Sequence, residues 1–470
     1  MNTPEDIEDT GFWWNCESPA QHCCGTLTVS KAGRISLELL NPPDSLMKNG
    51  HNIPIIHGQI KEKGHVSLFG ITISGDSFSN GIQIRAFHID GLLVGYHLSR
   101  FDETIFTEAQ IEIEGLYEWV GFPKIPIKKD DENNAVEIVS KSIEQKRFKI
   151  SNDLSLSINQ DRYYQSSSGG SKLAIEYCAS ICLTWTRPRG LPDIQDIVYR
   201  INSFLCLASD MPLSLTSVKV SKPNGDAGRR TWMDFIYQSM PEKTEAPNFL
   251  HPSLFLFPYR MIENDFGKIL SSYLDEKSEL KIAYDLYFSA TSFKHVLLET
   301  RFLLLIQGLE VFHRLTHDCK KFSEEKFTDL KKKLISCCEN EEERKFINDS
   351  LAFANECSLR MRLNQILDKF PLLIENQKQL IDALVKTRNY WTHFDPRTKP
   401  EAKFGRDLWY LSNQLEALFS LCILRNLGFS EEQIQMAINS TSIRRKLDVP
   451  GRELISEPAR PKQTDSEIYP

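Results

Sequence analysis

SFKHVLLETRFLLLIQGLEVFHRLTH, residues 292–317, is where the texture of this chain changes. Its apolar residues recur every three to four positions over a broad face, the spacing of an amphipathic helix. Upstream the rhythm is different. CGTLTVSKAGRISLELL (24–40) alternates apolar and polar residues on either side of Ala32-Gly33, which predicts two strands joined as a hairpin. IPIIHGQIKEKGHVSLFGITIS, GIQIRAFHIDGLLVGYH and TEAQIEIEGLYEWVG continue the alternation, and KKDDENNAVE (128–137) reads as a loop. KRFKISNDLSLSIN and SKLAIEYCASICLTWT add strands, the second after an SSSGG turn at 166–170. DIQDIVYRINSFLCLAS, near residue 193, has helical spacing, and LSLTSVKVSKP returns to a strand.

Downstream of the helical run, SEEKFTDLKKKLISCC opens with a Ser followed by acids, a helix start. Further helical patterns cover roughly 341–369, 374–394, 402–427 and 430–440, the last starting at Ser430 just after Gly428. The expected fold class is α+β. Residues 1–275 form a mainly β domain with one or two helices packed on it, and 285–445 form an antiparallel bundle of five or six helices. The Pro-rich, polar stretch 446–470 is expected to be a disordered tail.

Composition sets outer limits. The chain has 470 residues, 41% hydrophobic and 25% charged, which is ordinary for a globular protein and long enough for two or three cores. No run approaches the roughly 20 apolar residues of a membrane helix, and the acidic start MNTPEDIEDTGFWW lacks a signal pattern. Eleven scattered cysteines fit reduced thiols in a cytoplasmic protein better than a disulfide framework. The net charge of −7 is uneven: residues 301–450 carry 24 Lys and Arg against 21 Asp and Glu, a net of +3, leaving −10 elsewhere. That balance is compatible with a polyanionic substrate but far from a DNA-coating protein.

The chemistry concentrates in RNYWTHFDP, residues 388–396. On a helix, Asn389 and His393 stand at i and i+4, so the amide can orient the imidazole. Arg388 and His393 are five apart, about 140° around the axis, so one helix does not aim both at one point. A second copy across a two-fold axis would complete the site. Pro396 disfavours helical geometry at Asp395, which places His393 in the last turn, where the helix dipole favours its protonated form. A guanidinium and an imidazole suffice to cleave RNA through its own 2′-hydroxyl, with no cofactor. The bland alternative has His393 capping the helix and Arg388 in a surface ion pair with Asp382 or Asp395.

With these residues in view, the chain resembles the ApeA-like HEPN proteins, a HEPN-superfamily group of bacterial anti-phage defence. The Arg-Asn-three-residues-His run late in a helical bundle carries the likeness, with LLLIQGLEVFHR and SLRMRLNQIL before it. GFWWNCES, CGTLTVSKAGRISLELL, IIHGQI, IEIEGLYEWVG and INSFLCLASDMPLSLTSV match the order of that family's amino-terminal domain. The resemblance implies an endoribonuclease of abortive infection, at least dimeric through its HEPN bundle. It makes Arg388 and His393 the catalytic pair with Asn389 in support. It also makes Tyr390 and Thr392 RNA contacts, Glu310 an orienting carboxylate, and the β-rich half a sensor or regulatory domain. The implied partners are RNA, with transfer RNA among the candidates, a second copy and a phage-derived trigger, but no membrane. Two alternatives remain: a non-catalytic HEPN module binding nucleotides or proteins, and a toxin controlled by a separate antitoxin.

Three weaker groups complete the reading. Cys16, His22, Cys23 and Cys24 are a candidate zinc cluster, although adjacent cysteines on a strand point to opposite faces. His313 and His317 stand at i and i+4, with Asp318, Cys319 and Glu310 as the nearest further donors. Trp13-Trp14 reads as packing, and Lys331 to Lys333 as a solvated face.

Overall fold

A computed structural model describes residues 7–30, 33–47, 53–122, 127–130, 135–138, 146–166, 173–223, 231–239, 251–292, 296–371 and 373–448. Six strands come first: β1 (Ile7–Asn15), β2 (His22–Val29), β3 (Ile35–Leu40), β4 (Ile56–Ile60), β5 (Gly64–Ser79) and β6 (Ile82–Val94), with the short α1 (Asp44–Met47) after β3. Their pairings run β1-β2-β3-β6-β5-β4 and return to β1, so they close a barrel. Alternation in the sequence becomes alternation in burial. In β3, Ile35, Leu37 and Leu39 point inward while the residues between them face solvent. Trp13 fills the barrel, fully buried, and its indole N–H donates to the Gly25 carbonyl at 3.1 Å. Gly58 makes room for it: a β-carbon there would sit 2.3 Å from the Trp13 ring.

Strand β6 leaves the barrel and joins a second sheet. β7 (Phe106–Ile113), α2 (Leu116–Val120), β8 (Ile127–Asp130), β9 (Ala135–Ile138), β10 (Lys146–Lys149), β11 (Leu154–Ser166), β12 (Leu173–Arg189), α3 (Leu191–Ser209), β13 (Leu215–Ser221) and β14 (Trp232–Tyr237) follow. Seven strands lie in the order β10-β11-β12-β7-β13-β14-β6. The acidic stretch expected to be a loop is instead a small antiparallel hairpin of β8 and β9, pairing Ile127 with Ile138 and Asp130 with Ala135. Its charged residues hid the strand because a two-stranded ribbon has no face that must be apolar. The SSSGG turn lies outside the described residues.

Helices follow: α4 (Tyr259–Ile262), α5 (Phe266–Tyr273), α6 (Lys281–Thr291), α7 (Leu298–Thr316), α8 (Glu324–Ser336), α9 (Glu341–Ser350), α10 (Leu359–Leu367), α11 (Gln377–His393), α12 (Gly405–Asn426), α13 (Glu431–Ile438) and α14 (Thr441–Leu447). The run expected over 341–369 is broken between α9 and α10, where Cys357 is bonded to Cys319. These two therefore depart from the expectation of reduced thiols; the other nine cysteines form no disulfide. Helix α12 is the axis of the bundle. It meets α7 closely because Gly308 has no side chain; a β-carbon there would sit 2.7 Å from the Phe419 ring.

Two hydrophobic cores result, and they do not divide where strands give way to helices. One fills the barrel, around Trp13, Leu37, Phe87 and Leu68. The other runs without a break from Ile111 and Leu183 of the second sheet, through Phe204 and Phe266, to Leu384 and Phe419 of the bundle. The first residues of the expected tail are instead helical. Lys446 and Leu447 belong to α14, whose Ile443 is fully buried; Ser440 caps its start, and residues from 449 lie outside the described ones.

Candidate functional site

Helix α11 carries the RNYWTH run. Its start is capped by Asn376, whose side chain accepts from the Gln379 N–H at 3.0 Å. Leu380, Ile381, Leu384, Thr387 and Tyr390 turn into the bundle, a period of three to four residues. That leaves Arg388, Asn389, Thr392 and His393 on the flanks and outer face. The helix ends at His393 as Pro396 requires, and Asp395 starts a short 3-10 turn, Pro396–Glu401. The chain then folds back, with the Lys403 N–H donating at 3.1 Å to the buried Thr387 hydroxyl.

Arg388 is half-buried and reaches across to α7. Its Nη2 lies 3.4 Å from Glu310 Oε2, and its Nη1 lies 3.4 Å from Asn389 Oδ1. The surface pairs considered for Arg388 are taken by others: Asp382 binds Arg360, and Asp395 binds Arg397. Hydrogen bonds from the Arg397 side chain and backbone N–H hold the Asp395 carboxyl down at about 2. His393 is exposed, one and a half turns on, with no hydrogen-bond partner among the described residues. Asn389 thus faces Arg388 rather than His393, which departs from the expected amide–imidazole contact. Thr392 is exposed beside His393. Tyr390 departs from its expected role as an RNA contact. It is only 4% exposed, and its ring packs against Trp391, Phe394 and Phe404, because its position on α11 faces the core.

Behind Glu310 stands a residue the sequence reading passed over. Arg362 of α10 is 3% exposed; it donates to the Cys357 carbonyl at 3.1 Å, to His313 Nδ1 at 3.3 Å and to Glu356 at 3.3 Å. In sequence it looked like any solvated helix arginine. Burial lowers its pKa, while the negative charge of Glu310 works the other way. Glu310 therefore lies in the field of two guanidinium groups, Arg362 behind it and Arg388 in front.

His313, once a metal candidate, has both ring nitrogens engaged. Nδ1 takes the Arg362 contact and Nε2 lies 2.7 Å from Gln365 Oε1, so the neutral ring donates to Gln365 and accepts from Arg362. Neither ring nitrogen is left for a metal. Its ring stacks on His317 at 4.4 Å, and Cys319 is bonded to Cys357. Burial pushes the His313 imidazole down to about 4. A base with a depressed folded-state pKa stabilises the fold fully above its unfolded value, near 6.5, and loses that contribution as pH falls towards 4. The full shift is worth about 3 kcal/mol, which solvent screening reduces to on the order of 1–2 kcal/mol. Denaturant titrations at pH 7 and pH 4.5 should show His313→Gln losing less stability between the two than the wild type does. An equal loss in both proteins would refute this account.

The candidate zinc cluster is not assembled. On β2, Cys23 faces the barrel and Cys24 faces out; burial pushes the Cys23 thiol up to about 12, and His22 sits edge-on to Phe12. Among the described residues, no three His, Cys, Asp or Glu side chains are grouped to hold a metal, and no helix is long and apolar enough to cross a membrane.

Comparison with known proteins agrees with this architecture. No curated protein and no solved structure matches the chain. Two family models do: "ApeA N-terminal domain 1" over residues 8–273, and "Apea-like HEPN" over residues 303–433. The first takes in the barrel, the second sheet and α3 to α5; the second takes in α8 to α12, most of α7, and Glu310, Arg388 and His393. HEPN domains of this type point to a defence-related nuclease. A barrel-bearing domain followed by a helical bundle, matched in that order over most of its length, places this chain in the ApeA family, with an ApeA-type N-terminal domain and an ApeA-like HEPN domain.

Proposed function

We propose that the protein is an endoribonuclease of an abortive-infection defence system, cleaving RNA at a site built from Arg388 and His393 of two copies. The observation that carries the reading is the pairing on α11 of a restrained guanidinium with a free imidazole. Arg388 is held by Glu310 and Asn389, while His393 is exposed on the last turn of the same helix.

In the proposed reaction, His393 takes the proton from a ribose 2′-hydroxyl as that oxygen attacks the adjacent phosphorus. The P–O5′ bond breaks, and the leaving oxygen takes its proton from the imidazolium of a second copy. Arg388 neutralises the charge that builds on the non-bridging oxygens. The products are a 2′,3′-cyclic phosphate and a 5′-hydroxyl. DNA, lacking the nucleophile, is spared. The geometry of one chain favours two copies, because Arg388 and His393 leave the helix about 140° apart. Glu310 orients Arg388, and the N-terminal domain senses or restrains the nuclease, with a phage-derived signal as trigger. Transfer RNA is a candidate substrate, and the cytoplasm is the compartment where such a substrate is met.

The test is direct. Purified full-length protein incubated with total RNA should yield fragments ending in 2′,3′-cyclic phosphate. The yield should be unchanged in excess EDTA, since the nucleophile is already tethered beside the phosphorus. Strict dependence on added divalent metal would overturn the mechanism, and RNA binding without cleavage would leave a binding module.

A further inference from the structure

The residue after His393 is at odds with its own backbone. Phe394 closes α11 in the left-handed region, φ 52° and ψ 36°, with its N–H donating to the Tyr390 carbonyl at 2.7 Å. Glycine is the usual occupant of such a position, because a β-carbon is penalised there. Helix α2 follows that rule, ending on Gly121 at φ 69°. Phe394 also leaves its ring 66% exposed, with the Tyr390 ring beside it at 5.3 Å. A strained backbone and a solvated aromatic thus fall on one residue, next to the candidate acid–base group.

We propose that Phe394 is a base-stacking platform: its ring receives the face of an unpaired base flanking the scissile phosphodiester, so the substrate is RNA that is single-stranded at the cut. This rests on the ribonuclease reading and names the form of RNA that the site takes. Charge favours this occupant. Between Lys386 and Arg406 the chain carries six Lys and Arg against two Asp and Glu. Both acids are paired, Glu401 with Lys386 and Asp395 with Arg397. Lys399, Lys403 and Arg406 have no carboxylate partner among the described residues. Two copies meeting at this site, as proposed above, each bring the same basic segment, so the charge between them is left positive. A polyanion brings the complement, and stacking on an aromatic ring requires a base whose face is free, which a duplex does not offer. Phe404, 39% exposed and 5.3 Å from Tyr390, backs the platform from the next segment.

The experiment uses full-length protein carrying Phe394→Gly or Phe394→Tyr. Because glycine accepts the left-handed backbone, the melting temperature of Phe394→Gly should equal or exceed that of the wild type. Its kcat/KM on a single-stranded oligoribonucleotide with a mapped cut should nevertheless fall roughly 5- to 150-fold, the loss of one base–aromatic stack. Phe394→Tyr should stay close to wild type, and a duplex of the same sequence should resist all three proteins. A second oligonucleotide carries 2-aminopurine beside the mapped bond and a 2′-deoxy sugar at the nucleophile. Its fluorescence should be quenched by the wild type and Phe394→Tyr, and not by Phe394→Gly.

If wild type cleaves no RNA, the ribonuclease reading fails and this inference with it. If wild type cleaves and Phe394→Gly cleaves equally well, only the assignment of Phe394 falls. A Phe394→Gly protein that light scattering shows in a lower oligomeric state would mark the ring as a contact between copies, which also overturns it.

Discussion

Replacing His393 with alanine is expected to reduce RNA cleavage roughly 100- to 10,000-fold, the usual worth of a positioned acid–base group. The fold should not notice. His393 is exposed on the last turn of α11 and has no hydrogen-bond partner among the described residues, so its truncation should change stability by about 0.5 kcal/mol or less. Arg388→Ala should cost a comparable factor, roughly 100- to 1,000-fold, by removing charge stabilisation at the phosphorane. Its effect on stability should be small too, about 1 kcal/mol, because the Glu310 contact is long, at 3.4 Å, and partly solvated. Cleavage of a labelled RNA, read beside circular dichroism melts, separates the two effects. Full cleavage by either variant would remove its residue from the chemistry.

Lys446→Met is expected to be strongly damaging to the fold. Its ammonium sits on α14 between two carboxylates, Asp210 at the end of α3 and Glu416 of α12, the latter at 2.6 Å. Arg301 of α7 binds Glu416 from the other side and Asn413 at 3.0 Å. These side chains are largely buried: Lys446 is 13% exposed, Asp210 12% and Glu416 8%. Burial opposes the charge on Lys446, yet Asp210 and Glu416 hold its pKa above the ordinary lysine value. Removing that cation strands a buried carboxylate, which costs about 3–5 kcal/mol. The double change Asp210→Asn and Lys446→Met keeps Glu416 paired with Arg301 and leaves no uncompensated charge, so it should be less destabilised than Lys446→Met alone. Denaturant midpoints of the two variants decide the point; a milder loss in the single variant would show that the cluster is not electrostatically closed.

This cluster also marks where reading the sequence stopped. In sequence Lys446 opens a Pro-rich, polar stretch, and short-range pattern is all that a linear reading sees. Its partners lie 30 and 236 residues away. Arg362 was passed over for the same reason: its burial comes from His313 and Glu356 closing around it, not from neighbours at helical spacing. The β8–β9 hairpin escaped notice because an isolated ribbon needs no apolar face. Tyr390 was misread because it lies inside a polar motif, while its angle around α11 turns it to the core.

Much else was legible locally. The barrel strands announce themselves by period-two alternation, and the bundle by apolar stripes. Pro396 fixes the end of α11 at His393. The Arg-Asn-three-residues-His spacing places Arg388, Asn389 and His393 on one helix, since spacing along a helix converts directly into angle. The left-handed Phe394, by contrast, is invisible in sequence. What the chain alone settled were the elements and the spacing of the motif on α11, because both depend on residues within a few turns of one another. Tertiary structure alone decided that Glu310 holds Arg388, that Asn389 turns away from His393, and that one core joins the second sheet to the bundle. Each of those depends on which distant faces meet, and that is fixed by burial and charge pairing across the whole molecule.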